Sequence, residues 1–231
     1  MGKKKPIFYT ELSYVVGLVL LSFATALLTV ADFGQSMVAA PAYLLHLRLV
    51  KYLPFFSFGV ASYTFQAVLL VVMIILVRRF RISYLYSFVT AVLYGCFLDG
   101  SLFFVRMIPA DHLAVRMVLY ALGVVVCATG VALMFRSYVS PAVYELFVKE
   151  VSERFRISSA RFKWAYDLSS LVLSIVLSLC FFGWPHFVGI GAGTVICAFV
   201  NGVLIGLVGK WFDNHFRFED GFPKLHRLFE K

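Results

Sequence analysis

Apolar residues fall along this chain in long blocks separated by short polar breaks. Six blocks, at 12–32, 55–77, 84–105, 116–135, 165–184 and 187–209, are each about long enough to cross a bilayer core as a helix. No segment outside them is large enough for a soluble domain. The pattern predicts an all-α polytopic membrane protein with six transmembrane helices.

The pattern also occurs twice. Gly17 to Val30 leads into the polar break Ala31-Asp32-Phe33-Gly34-Gln35-Ser36 and then into Ala40-Pro41-Ala42-Tyr43-Leu44-Leu45. Gly123 to Phe135 leads into Arg136-Ser137-Tyr138-Val139 and then into Ser140-Pro141-Ala142-Val143-Tyr144-Glu145-Leu146. The third spans match through Ser87 and Thr194, followed by Gly95 to Gly100 and by Gly202 to Gly206. Three spans is an odd number, so a second copy must enter the membrane from the opposite side. The expected organisation is two inverted three-helix repeats, at 1–110 and 111–213, with a cytoplasmic tail at 214–231.

Pro-broken or amphipathic segments follow the first and fourth spans. Ser140 suits a helix cap and Pro141 its first turn. Tyr144, Phe147, Val148, Val151 and Phe155 then recur at helical spacing, with Glu145, Lys149, Glu150 and Glu153 largely between them. This predicts an amphipathic helix of about 15 residues, either along the cytoplasmic interface or folded back into the bundle. Its counterpart, Pro41 to Leu53, is more apolar and reads as a re-entrant or deeply buried segment on the outer side.

Composition agrees, with 61% hydrophobic and 14% charged residues and a mean hydropathy of +0.90. The net charge of +9 is unevenly placed. With the N-terminus inside, 17 of the 21 Lys and Arg residues fall on the inner side, leaving Arg48, Lys51, Arg106 and Arg116 outside. The positive-inside rule then puts both termini in the cytoplasm of a bacterial cell, with the chain in the inner membrane. The basic charge reads as topology plus contact with the lipid bilayer, not as a nucleic-acid surface. Lys3 to Lys5 before an apolar run could mark a signal peptide, but the run is too long and Ala31 gives a poor cleavage site, so an uncleaved span is expected. Trp211, Phe212, Phe216, Phe218 and Phe222 suit a tail anchored at the interface. Cys96, Cys127, Cys180 and Cys197 lie inside spans without C-x-x-C spacing, and the five histidines share no ligand spacing. Neither a disulfide framework, a metal nor a cofactor is expected.

The Gly17 span with its break at Ala31-Asp32-Phe33-Gly34, and the Gly189-Ile190-Gly191-Ala192-Gly193-Thr194 entry leading to Asn201-Gly202, resemble the YczE/YitT-like bacterial integral membrane proteins over roughly 12–210. The resemblance implies a five- or six-span fold and a role in transport or export. Where that family's pattern leads one to expect Trp-Asp after the first break, this chain has Ala39-Ala40-Pro41, so a binding role for that pair does not carry over.

Polar groups at membrane depth are the candidate substrate-binding residues. Asp99, about 15 residues into the third span, is either functional or paired with Arg106 or Arg116. Gln66 and Asn201 lie near mid-span and suit either substrate contact or interhelical hydrogen bonding. Asp32 and Arg136 mark the starts of the two breaks at Pro41 and Pro141, and Ser87 and Thr194 could bond to carbonyls freed there. Asp167 reads as a cap on the fifth span. The glycines at 189, 191 and 193 follow no predicted strand and so form no nucleotide loop. These readings favour a permease for an unidentified small solute, with its site between the repeats. The alternative is a membrane binding or accessory subunit acting as a homodimer or with a partner; an enzyme is not expected, since no nucleophile–base pair or metal-ligand set appears.

Overall fold

The computed structural model describes residues 5–139, 142–183 and 188–222. In chain order the elements are β1 (Ile7–Tyr9), α1 (Thr10–Ala31), α2 (Ala40–Leu49), α3 (Phe58–Val77), α4 (Ser83–Val105), α5 (Leu113–Met134), α6 (Val143–Phe155), α7 (Ser159–Phe182), α8 (Ala192–His215) and β2 (Arg217–Glu219). Helices α1, α3, α4, α5, α7 and α8 are long and apolar enough to cross a bilayer. The chain is an all-α multi-pass membrane protein, with short helices after its first and fourth spans.

Two boundaries differ from the pattern reading. Helix α7 starts at Ser159, not at 165, because exposed Arg161 and Lys163 occupy its first turns and mask the helix in a hydropathy profile. Helix α8 continues to His215, so Trp211 and Phe212 belong to the helix and not to a tail. Beyond it, β2 pairs in parallel with β1, setting Ile7 opposite Arg217 and Tyr9 opposite Glu219. Both ends of the bundle chain therefore lie on one face, termed the terminal face below; the opposite face is the distal face.

Helices α1 and α5 form the central antiparallel pair. Gly17 lies against Gly130 and Met134, and Gly123 against Leu27 and Leu28, so backbones approach where side chains are absent. Helix α4 packs on α1 and helix α8 on α5. A second group comprises α2, α3, α6 and α7, each touching two of the others: α2 with α3, α3 with α6, α6 with α7 and α7 with α2. The two groups join mainly where α4 meets α3 and α6. Helix α8 has no matching contact with α7 or α2 among the extensive contacts of the described residues.

Side-chain contacts cross both the α1–α4 and the α5–α8 seams. The Tyr14 hydroxyl lies 2.7 Å from Thr90 Oγ1, and about 106 residues later the Tyr120 hydroxyl lies 3.2 Å from Cys197 Sγ. Tyr94 donates to Thr25 across α1 and α4, and Asn201 to Cys127 across α5 and α8.

The short helices begin inside the bundle. The Val143 N–H at the start of α6 donates to Gln66 Oε1, about 12 Å along α3 from its distal end at 1.5 Å per residue. At the other end of α6, Glu150 accepts from Tyr84 and Arg81 near the terminal face. Helix α6 is therefore folded back into the bundle, running from mid-depth to the terminal face. On α2, Pro41 sits in the first turn, where its missing N–H costs nothing. The preceding Val38 reaches the apolar cluster that holds Leu70, Met73 and Val143, while His46 bonds to the Phe56 carbonyl beyond the distal end. Helix α2 thus runs from the interior to the distal face.

Candidate functional site at the start of the buried short helix

The start of α6 is buried for a compositional reason. Val143-Tyr144-Glu145-Leu146-Phe147-Val148 is apolar on nearly every side, so its first turns enter the bundle whole. Val143, Leu146, Phe147 and Val151 pack with Leu70, Met73 and Tyr166 of α3 and α7. Glu145 is carried in with them, and its Oε2 is shielded from solvent without a hydrogen-bond partner. Around this turn stand Gln66 and Ser62 on α3, and Lys163, Tyr166 and Asp167 on α7. Gln66 is fully buried; its Oε1 holds the Val143 N–H and its Nε2 has no partner.

On α7, Asp167 lies eight residues inside the helix, so it is not the cap that its place in the pattern suggested. It pairs with Lys163 one turn earlier at 3.5 Å, leaving its own Oδ1 buried and unpartnered. Tyr166 lies beside Ser170, with its ring tilted against that of Phe147 at 5.5 Å between centroids. A cluster of donors and acceptors thus spans α3, α6 and α7 at about mid-depth.

The remaining predicted residues are dispersed around this centre. Asp99 serves the start of α3: its Oδ2 accepts from Ser57 Oγ at 2.5 Å and its Oδ1 from the Gly59 N–H at 2.8 Å. Neither expected arginine is its partner here. Arg116 instead holds the end of α1, donating to the Ala31 and Asp32 carbonyls and to the Asp32 carboxylate at 3.1 Å, with its guanidinium over Phe33. Asp32 itself takes the left-handed conformation that ends α1, φ 54°, with its carboxylate largely exposed.

Arg136 is bound to the terminal face. It makes a two-pronged pair with Asp213 at 2.7 Å, donates to the Ala132 and Gly209 carbonyls, and lies over the Phe218 ring. Nearby, Tyr138 donates to Glu11, which also receives the Gly221 and Phe222 N–H groups. Burial, with Glu11 beside it, holds the Tyr138 phenol above its ordinary range, so it stays a donor.

Asn201 lies on the α5–α8 seam with its Oδ1 buried and unpartnered. Ser87 is fully buried on α4 with an unpartnered hydroxyl. Thr194 is fully buried at the start of α8, where its hydroxyl accepts the Gly191 N–H. Pro141 and Ser140 lie outside the described residues. Of the described members of the predicted set, the structure brings only Gln66 to the start of α6. A cleft of about 450 Å³ opens elsewhere, on the distal face, between Asp32-Phe33-Gly34 and the 188–192 segment.

Glu145 and Tyr166 are members of this centre that sequence reasoning passed over, and Asp167 is one that it read as a cap. Glu145 reads as one more charge on a polar face. The signal against that was the apolar character of Val143, Tyr144, Leu146, Phe147 and Val148 around it. Among the described residues no group of three or more His, Cys, Asp and Glu side chains could hold a metal ion.

No curated protein and no solved structure matches the chain. The family model that matches covers residues 8–210, and the YczE/YitT-like naming gains nothing from it. By that match the chain belongs to DUF6198, a family of unknown function.

Proposed function

We propose that this protein is a small-solute transporter of the bacterial cytoplasmic membrane, with both termini cytoplasmic, built from inverted repeats at 1–110 and 111–213. The supporting observation is the helix packing. Exchanging α1–α4 with α5–α8 maps α1–α4 onto α5–α8 packing, α2–α3 onto α6–α7, and α3–α6 onto α7–α2, and leaves the α1–α5 pair unchanged. Only the contacts of α4 with α3 and α6 lack a counterpart, since α8 makes no extensive contact with α7 or α2.

That single departure from symmetry has a mechanical reading. The α2–α3–α6–α7 group leans on α4 and away from α8. An inverted repeat makes the opposite tilt nearly equal in energy, with the group leaning on α8 and away from α4. Rocking between the two would open a central site first to one face and then to the other. The start of α6, with Gln66, is that site: buried donors and acceptors without partners are left for a solute to satisfy.

Uptake tests this reading. Proteoliposomes holding the purified protein, loaded externally with an isotope-labelled metabolite extract, should accumulate a solute that empty liposomes do not. Silent liposomes, with a solute nonetheless retained saturably by the detergent-purified protein, would replace the transporter with a binding or accessory subunit.

A further inference from the structure

We infer that Glu145 is a proton-binding group, taking up and releasing a proton at its Oε2 during the transport cycle. Its role in coupling rests on the transporter reading, whereas its protonation stands on the geometry alone.

The carboxylate lies in the first turn of a helix that starts at mid-depth, and its Oε2 has neither water-exposed surface nor a hydrogen-bond partner. An uncompensated carboxylate in such a place is costly, and the group escapes the cost by binding a cation. Lys163, the cation that acts on Glu145, is already paired with Asp167. The other titratable groups facing Glu145 are Tyr166 and Asp167 on α7, Tyr94 on α4, Cys127 on α5 and Tyr144 in its own turn. With Lys163 charged, the two carboxylates leave one negative charge in excess, and one proton removes it.

The neighbouring groups favour a proton over a metal ion. Sodium, calcium or magnesium needs a shell of several oxygen ligands. The fully buried Gln66 amide, whose Oε1 is held by the Val143 N–H, presents an unpartnered N–H donor over the same turn. A donor repels a metal ion but can bond to a carboxyl or to a solute's acceptor. The α6–α7 contact also supplies a route: Lys163, one turn nearer the terminal face than Asp167, is more than half exposed. The proton enters from water at that face, adds to Glu145 Oε2 without breaking any other bond, and leaves to water when the bundle tilts.

Carbodiimide labelling of the full chain in proteoliposomes, read by mass spectrometry, tests this, because a protonated carboxyl in apolar surroundings gives its proton to the reagent's nitrogen and adds through oxygen to its central carbon. An adduct at Glu145 is expected, falling roughly tenfold per pH unit once the carboxyl ionises, insensitive to sodium, and absent in Glu145→Gln. A Glu145 without adduct while Asp167 is labelled, or an adduct suppressed by sodium at constant pH, overturns the proposal. The measurement uses the wild-type chain, so it survives a Glu145→Gln variant that fails to fold. Uptake without a titrating Glu145 sinks this inference and spares the transporter; a titrating Glu145 in a chain that moves no solute does the reverse.

Discussion

Gly17 of α1 and Gly130 of α5 lie back to back, such that a methyl group on Gly17 would stand 2.8 Å from the Gly130 carbonyl oxygen and one on Gly130 would stand 2.9 Å from that of Gly17. The central pair is therefore set by backbone contact, which cannot yield as the neighbouring Met134 side chain can. Gly17→Leu and Gly130→Leu should each destabilise the folded protein by about 1–3 kcal/mol through overpacking. The check is a lowered thermal transition in detergent, measured by static light scattering.

Gly95 of α4 and Gly202 of α8 offer a contrast. A methyl at Gly95 would meet the Gly59 carbonyl at 2.8 Å, whereas one at Gly202 would meet nothing within 4 Å. Gly95→Leu should cost about 1–3 kcal/mol of stability. Gly202→Leu should leave stability unchanged and, under the proposed rocking, abolish uptake, because the opposite tilt would bring α7 onto that face. Uptake at the wild-type rate by Gly202→Leu would remove the rocking reading.

Asp99 caps α3 in company with Ser57. Asp99→Ala should lower stability by about 0.5–2 kcal/mol, the range for loss of a helix cap, and Asp99→Asn, which keeps an acceptor for the Gly59 N–H, should lose less. Thermal shifts of the two variants compared side by side decide it. Equal, large losses of uptake in two stable variants would instead assign Asp99 to the solute.

Gln66 is the acceptor for the first N–H of α6. Gln66→Leu leaves that buried N–H without a partner, at a cost of about 1–3 kcal/mol. Gln66→Glu restores the acceptor but adds a buried carboxyl beside Glu145 and Asp167, so it should recover stability only at acidic pH, where that carboxyl is neutral, and should not recover uptake at neutral pH. Thermal stability and uptake measured on the same preparations separate the two roles.

The six spans were legible because hydrophobic length is a property of each segment alone. The start of α7 was not, since the aliphatic stems of Arg161 and Lys163 extend a helix that a hydropathy window cuts short. The burial of α2 and α6 could be argued from the apolar residues after Pro41 and Pro141. Which of the two alternatives α6 would take depended on its contact with Gln66, 77 residues away. Asp99 illustrates the same limit: its partners, Ser57 and Gly59, belong to the preceding span, and nothing in the local sequence points to them. Arg116 and Asp32 were both recognised as polar groups of interest, but their pairing across α1 and α5 needed the fold.

The pairing of Ile7–Tyr9 with Arg217–Glu219 acts as a parity check on the whole molecule. Two strands can bond only if they emerge on the same side of the bilayer, and that requires an even number of crossings between them. A variant in which any one of the six spans fails to insert makes an odd number of crossings, puts the two strands on opposite sides and forfeits the clasp. The same is true of the bonds that Glu11 makes to Gly221 and Phe222. The last residues of the bundle to be synthesised thereby report on whether the first were threaded correctly.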